Sequence, residues 1–252
     1  MNKCLLHILI VSILIFSTCF NLHAEEEQPS GENASNPLAK VRNTDLRYQY
    51  FDLEGGADRT IASVEGAFMA QDKLKIIYEL HYWETDVTGS TEKDWESFSL
   101  RNIYFPAHGE WGSWKYRVAV GVEWILDFDN NDKGIGSGSD QLAPLIGVAL
   151  SPRPGTTLVP LIQQFWSYSG NDVNTTGPRI IAIQTLPKDY WLRLDGRFPI
   201  DWENDNEIPA SLEVQLGKHL SKTTALYVDG LFGLGGDRPY DNGVGLALRF
   251  KY

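Results

Sequence analysis

The last ten residues, Gly243 to Tyr252 (G-V-G-L-A-L-R-F-K-Y), constrain this chain more than any other stretch. Val244, Leu246, Leu248, Phe250 and Tyr252 fall on one side of an extended strand, and Gly245, Ala247, Arg249 and Lys251 on the other. A strict period of two marks a strand with one apolar and one polar face. After Ala24 no apolar run approaches the length of a helical membrane span. If the chain enters a bilayer it must do so as a closed barrel, whose alternation hides its hydrophobicity from window averages.

The rest of the chain supplies eleven further strand-like runs: 45–53, 61–70, 73–85, 96–105, 113–128, 141–150, 156–168, 178–186, 190–201, 208–218 and 223–233. The alternation is clearest in 113–128. There Trp114, Tyr116, Val118, Val120, Val122, Trp124, Leu126 and Phe128 oppose Lys115, Arg117, Ala119, Gly121, Glu123 and Asp127. Runs 141–150 and 156–168 are more continuously apolar and their faces are ambiguous. Pro144 and Pro160 predict bulges or a local break there, because proline cannot donate to a ladder. Short turns (AQD, AHGEWG, SPRPGT, LPKD, LSKT) alternate with longer acidic, Gly/Asn-rich loops (EGGADRT, DVTGSTEKD, DNNDKGIGSGSD, GNDVNTTG, WENDNEI, GLGGDRPYDN). An even strand number with short periplasmic turns and long outer loops is the pattern of an outer-membrane barrel. Trp83, Trp95, Trp111, Trp114, Trp124, Trp166, Trp191 and Trp202 sit mostly near run ends, where aromatic girdles would place them.

The N-terminus reads as an export address. Lys3 precedes a mostly apolar stretch to Phe20, and Leu22-His23-Ala24 offers a cleavage point before Glu25-Glu26-Glu27. Both cysteines, Cys4 and Cys19, fall inside this signal, so the mature chain carries none. Cleavage after Ala24 removes Lys3 and no acid from 22 Lys/Arg and 33 Asp/Glu, leaving a net charge of −12. That balance argues against a nucleic-acid partner. Residues 25–44 form an acidic, polar segment that cannot build a core of its own. It predicts a periplasmic tail or a small plug folded into a lumen, with the free tail favoured.

Charges of both signs crowd the polar faces, and in a barrel these must point into the lumen, since lipid-facing charges cost several kcal/mol near the midplane. Lys115, Arg117, Glu123, Arg193, Asp195, Arg197, Glu213 and Arg249 are the candidate pore-lining residues. Taken singly, each is as compatible with an ion pair bracing the inner wall. Signals for catalysis are thin. His219-Leu220-Ser221 has the spacing of the active-site pair of the twelve-stranded outer-membrane phospholipase, but it falls at an expected periplasmic turn and lacks the Asn-Gly that follows the serine there. Asp129 to Asp140 resembles a calcium loop, yet Lys133 occupies a ligand position and the twelfth residue is Asp, not Glu. No catalytic residue, metal or cofactor is assigned.

Gln141 with Pro144, Leu186-Pro187-Lys188-Asp189-Tyr190-Trp191, Pro199-Ile200, Asp201-Trp202-Glu203, Pro209 and Gly217-Lys218 resemble an outer-membrane β-barrel transporter family associated with the meta-pathway of phenol degradation. Asn36-Pro37-Leu38-Ala39 is also similar. Trp202 to Pro209 is shorter than in that family, and Ala210-Ser211-Leu212 replaces its usual glycines. The resemblance implies membrane location and transport of small molecules, aromatic ones among them. The expectation is therefore all-β: a signal peptide (1–24), a tail or plug (25–44), and an antiparallel transmembrane β-barrel (45–252) of about 12 strands with periplasmic termini. It would lie in the cell outer membrane and form a narrow channel. Its partners would be outer-membrane lipid, a small-molecule solute, and the barrel-assembly machinery acting on the C-terminal strand. The alternatives are a closed barrel with a structural or lipid-modifying role, and a soluble periplasmic β-sandwich binding protein.

Overall fold

A computed structural model describes residues 32–252; the expected signal peptide and residues 25–31 lie outside the described residues. In chain order the strands are β1 (Asn43–Asp52), β2 (Asp58–Gln71), β3 (Leu74–Thr85), β4 (Glu92–Trp111), β5 (Trp114–Asp127), β6 (Ser139–Arg153), β7 (Thr156–Gly170), β8 (Asn174–Thr185), β9 (Tyr190–Arg197), β10 (Ile200–Asp201), β11 (Ala210–His219), β12 (Thr224–Leu234) and β13 (Asn242–Lys251). All but β10 pair antiparallel with both neighbours, and β8 pairs with β9, so twelve strands close a ring. The two-residue β10 is an annex that pairs with Thr175 and Thr176 of β8.

The last ten residues form the strand that closes the ring. β13 pairs with β1 over ten positions, from Asn43↔Lys251 to Asp52↔Asn242. Connections of two to four residues (72–73, 112–113, 154–155, 186–189, 220–223) gather at the end that carries the termini. Connections of three to twelve residues gather at the other.

Burial runs inside out. Leu46, Tyr48, Val120, Trp124, Ile146, Ile162, Ile180, Val228, Val244 and Leu246 are exposed, while Asp45, Lys75, Glu123, Arg193, Asp195, Glu213, Asp229 and Arg249 are buried. A soluble sandwich would show the reverse, since its apolar faces meet between sheets. A closed sheet with an apolar exterior satisfies every ladder hydrogen bond within lipid.

Some elements depart from the expectation. β4 continues through the predicted AHGEWG turn to Trp111, leaving only Gly112 and Ser113 at the turn. Ala107 to Trp111 pairs with Trp114 to Val118 in a hairpin whose exposed, partly polar residues hid it from a periodicity argument. The predicted GNDVNTTG loop shrinks to 171–173 because β7 and β8 extend into it. Pro144 and Pro160 do not break their strands. Both face outward, and the β6–β7 ladder lacks pairs at 143–144, at Pro144 itself, and at 148–149, opposite Pro160.

Two of the tryptophans assigned to girdles turn inward. Trp111, Trp114, Trp95, Trp124 and Trp166 are exposed near the two rims. Trp83, by contrast, faces the lumen, and Trp191 is 1% exposed. The Trp191 ring lies flat over Gly217, its register partner on β11, where a Cβ would sit 2.0 Å from the ring. Its Nε1 donates to Gln215 Oε1 at 3.0 Å.

Candidate functional site

The lumen is built in two layers. At the terminus end an apolar cluster faces inward, made of Ala67, Ile77, Ile103, Phe105, Ala119, Ala149, Val159, Ile181 and Ile183, with Leu38 of the N-terminal segment among them; Lys75, Arg117, Gln215 and Arg249 stand beside it. Residues 32–42 are thus folded into the barrel. Two asparagines shape the segment. Asn33 Oδ1 accepts from the Ser35 N–H at 2.8 Å and Asn36 Oδ1 from the Leu38 N–H at 2.9 Å. Such side-chain turns let a short polar stretch fold without secondary structure.

Barrel cations hold the segment by its backbone. Lys75 Nζ donates to Pro37 O at 2.9 Å and to Ala39 O at 2.8 Å. Arg117 donates to Leu38 O at 3.0 Å and to both carboxylate oxygens of Glu32, at 2.6 and 2.9 Å. Arg249 donates to Ser35 Oγ at 2.9 Å, and Ser35 in turn donates to Gln215 Oε1 at 2.7 Å. Burial alone would raise the Glu32 carboxyl. The hydrogen bonds and charge of Arg117, with smaller help from the Lys40 amide and Lys75, hold it below its ordinary value.

Above this floor lies a polar layer around a cavity of about 710 Å³. It is lined from Ala34, Ser35 and Pro37 up to Phe51, Trp83, Pro199, Pro239 and Tyr240 at the loop end. On one side Asp195 is surrounded by arginines: Arg179 at 2.5 Å, Arg197 at 3.3 Å, and Arg193 in direct contact. Glu213 receives Arg193 at 2.9 Å, Arg47 at 2.9 Å and Arg197 at 3.8 Å, and Arg47 also reaches Asp229 at 2.7 Å. On the other side Arg101 donates to Glu123 through both Nε and Nη2, while Gln163 Nε2 donates to the same carboxylate at 2.6 Å. His81 lies 3.2 Å from Glu96 and 3.7 Å from Glu79. A bulge between β3 and β4 turns both Glu96 and Ser97 toward the lumen.

Five of the eight candidate pore residues line this cavity: Glu123, Arg193, Arg197, Glu213 and Arg249. Asp195 is buried behind its arginines. Arg117 belongs to the floor, held by the N-terminal segment. Lys115 departs from the expectation. Its inward position is next to the Gly112–Ser113 turn, where it is exposed and outside the cavity lining. Arg179, His81 and Glu96 join the lining in addition. Arg179 shares parity with Ile181 and Ile183 on β8, a signal the sequence carried; the bulge that admits Glu96 left none.

The remaining motifs have structural places. Ser221 Oγ accepts from the Thr223 and Thr224 N–H groups at 3.1 and 3.0 Å, inside its own turn. His219 Nδ1 meets Lys251 Nζ at 2.9 Å and its ring packs 4.7 Å from Trp191. In the 128–138 loop Asp127 is saturated by the N–H groups of Asp129, Ser137 and Gly138, and Lys133 pairs with Asp94 at 2.6 Å. Among the described residues no group of three or more His, Cys, Asp or Glu is arranged to hold a metal ion.

No protein-family model matches this chain, and neither does any curated protein. Solved structures do. An outer membrane channel from Pseudomonas putida F1 superposes with a TM-score of 0.59 over 90% of this chain and 100% of its own, at 8% identity. The KdgM porin gives 0.55 over 83% and 99% at 11% identity. The outer membrane phospholipase A of Escherichia coli gives 0.54 over 84% and 92% at 12% identity. The chain has the fold that these outer-membrane β-barrels share. Its apolar belt and polar lumen place it in the cell outer membrane. At these identities the likeness shows the fold alone. The phospholipase shares it with the channels, so what the barrel does must be argued from its lumen.

Proposed function

We propose that this barrel is a narrow outer-membrane channel for small molecules, aromatic ones included. The carrying observation is the cavity itself, a space that reaches from the loop-end mouth down to residues 32–42 and is lined by charged side chains together with apolar ones such as Ile61, Ile125 and Phe165. A barrel whose only task was structural would be expected to fill this layer with packed side chains, as the apolar layer beneath it is filled. Charged linings are also how channels set selectivity. Aromatic rings gather at the mouth, where Arg59 lies over Phe51 (5.1 Å) and Trp83 (4.5 Å) and Tyr240 stands beside Phe51 (4.9 Å); an aromatic solute would stack there by displacing Arg59. The resemblance to the phenol meta-pathway transporters supports the same solute class. In the lipid-modifying alternative Ser221 would act as nucleophile, but its hydroxyl is engaged in a turn.

The floor makes the passage conditional, because residues 32–42 occupy the terminus end. Planar-bilayer recordings test the reading. Folded full-length mature protein should give small or infrequent openings, and protein lacking residues 25–42 should give larger, sustained ones. A silent bilayer from both, with heat-modifiable gel migration confirming folded barrels, would refute the channel.

A further inference from the structure

We infer that the lumen is electrically polarised across its diameter and favours small zwitterions over neutral molecules of the same size; this rests on the channel reading above. The ring order places β3 directly opposite β9 and β2 opposite β8, with five barrel strands between them on either side. On β8 and β9 three guanidiniums, Arg179, Arg193 and Arg197, gather on Asp195; Arg193 and Arg197 also meet Glu213 of β11, as does Arg47, which reaches Asp229 of β12 as well, four cations against three carboxylates. Arg197 keeps 46% of its side chain exposed to the cavity. Across the lumen β2, β3 and β4 present Glu65, Glu79 and Glu96, with side chains 26%, 24% and 14% exposed. The cations on that wall offset them only in part. Arg101 is engaged bidentately by Glu123 of β5 and lies 3.7 Å from Glu79. His81 stands between Glu79 and Glu96 at mid-height. Lys75 lies in the floor and Arg59 at the mouth.

Both walls stand at the same height. Arg47 reaches Glu65 of the acidic wall at 3.8 Å and Glu213 at 2.9 Å, and Glu213 in turn contacts Arg193 and Arg197. A solute crossing this level therefore has cations on one side and carboxylates on the other. A net charge is attracted by one wall and repelled by the other. A zwitterion can satisfy both at once if it turns across the axis. Low-dielectric walls strengthen the field between opposed charges.

The test uses L-alanine and lactamide, isomers of which the first is zwitterionic and the second neutral. Liposome swelling with the full mature chain should show L-alanine entering about tenfold faster, the lower end of what focused fields do for charged groups. The ratio of the two isomers cancels any change in pore width. Arg197→Gln and Glu79→Gln should each lower that ratio by at least about threefold, and Arg197→Lys should restore it, because the charge and not the guanidinium fork sets the field. Equal entry of the isomers, or a ratio indifferent to both variants, overturns the inference and leaves the channel standing. If neither isomer enters, with the full mature chain or with protein lacking residues 25–42, the channel reading falls. Saturation-transfer NMR on detergent-folded protein then decides the polarity alone: preferential contact with L-alanine sustains it and equal contact refutes it.

Discussion

Replacing Lys75 with Met is the sharpest probe of how residues 32–42 are held. The ammonium is 1% exposed and donates to two backbone carbonyls of the segment, Pro37 O and Ala39 O. A hydrogen bond from a charged group contributes about 1.5–3 kcal/mol, so the pair is worth roughly 3–6 kcal/mol gross. Methionine has a similar volume, leaves both carbonyls without their donor, and relieves the desolvation of a buried cation, which offsets part of the loss. A net loss of about 3 kcal/mol raises the undocked fraction roughly a hundredfold, at about 1.4 kcal/mol per factor of ten. Protein expressed from residue 25 omits both natural cysteines, Cys4 and Cys19, so a single introduced cysteine reports without background. Ala39 is fully buried, which makes Ala39→Cys reactive only when the segment leaves the lumen. Maleimide labelling under native conditions then follows the undocked population. The Lys75→Met rate should exceed that of the Lys75 parent by about two orders of magnitude, with heat-modifiable migration unchanged. A difference within about threefold, far below the hundredfold that the hydrogen-bond arithmetic requires, would refute the view that Lys75 anchors the segment.

Acidification should release the same segment by another route. Glu32 is held below its ordinary pKa of 4.5 against the opposing effect of burial, so its contribution is present above that value and is lost as pH falls through the lowered one. Bilayer conductance should therefore rise at pH values below 4.5, and Glu32→Gln should conduct at neutral pH as the parent does in acid. On the outer face, Leu246 is 52% exposed and its neighbours across the ladder are Tyr48 and Val228. Leu246→Arg should destabilise the barrel in lipid by about 2–4 kcal/mol if that face meets the bilayer midplane, read from urea unfolding in vesicles. A neutral result would mean this face meets no lipid core.

Where the two faces of a strand differ in polarity, the sequence was legible. β5 and β13 are the cases, and their outward residues fall where alternation put them. Runs 141–150 and 156–168 were ambiguous for a reason now visible. Ala143, Leu145 and Ala149 of β6, with Val159 and Leu161 of β7, point inward yet are apolar, and Ala149, Val159 and Leu161 belong to the cluster that packs on Leu38. A lumen-facing residue next to a plug obeys the rules of a core, so the contrast that marks the strand disappears. Trp191 misled in a different way. Its place near a run end suggested a girdle, although its parity with Arg193 and Asp195 already put it inside. The room for it comes from Gly217, twenty-six positions later, and no local pattern announces that. Charge pairing was the least legible part. Arg47 of β1 pairs with Glu213 of β11, across the two intervening strands β12 and β13, so spacing along the chain carries no trace of it.

The two layers of the lumen separate opening from selectivity. The apolar floor would be wetted if residues 32–42 left. Leu38, 1% exposed, is the side chain that fills it, and burying a leucine is worth about 1.5–3 kcal/mol. The cations that hold the segment act largely on its carbonyls, at Pro37, Leu38 and Ala39, so the anchoring depends on the backbone path more than on side-chain identity. Two side-chain links, Glu32 to Arg117 and Ser35 to Arg249 and Gln215, add specificity. Withdrawing the segment breaks this small set and leaves the ion network above it intact, because Arg47, Arg179, Arg193 and Arg197 find their carboxylates on the barrel wall and not on the plug. A segment poor in apolar residues can thus close the barrel without being a domain: the strands supply the core that it lacks.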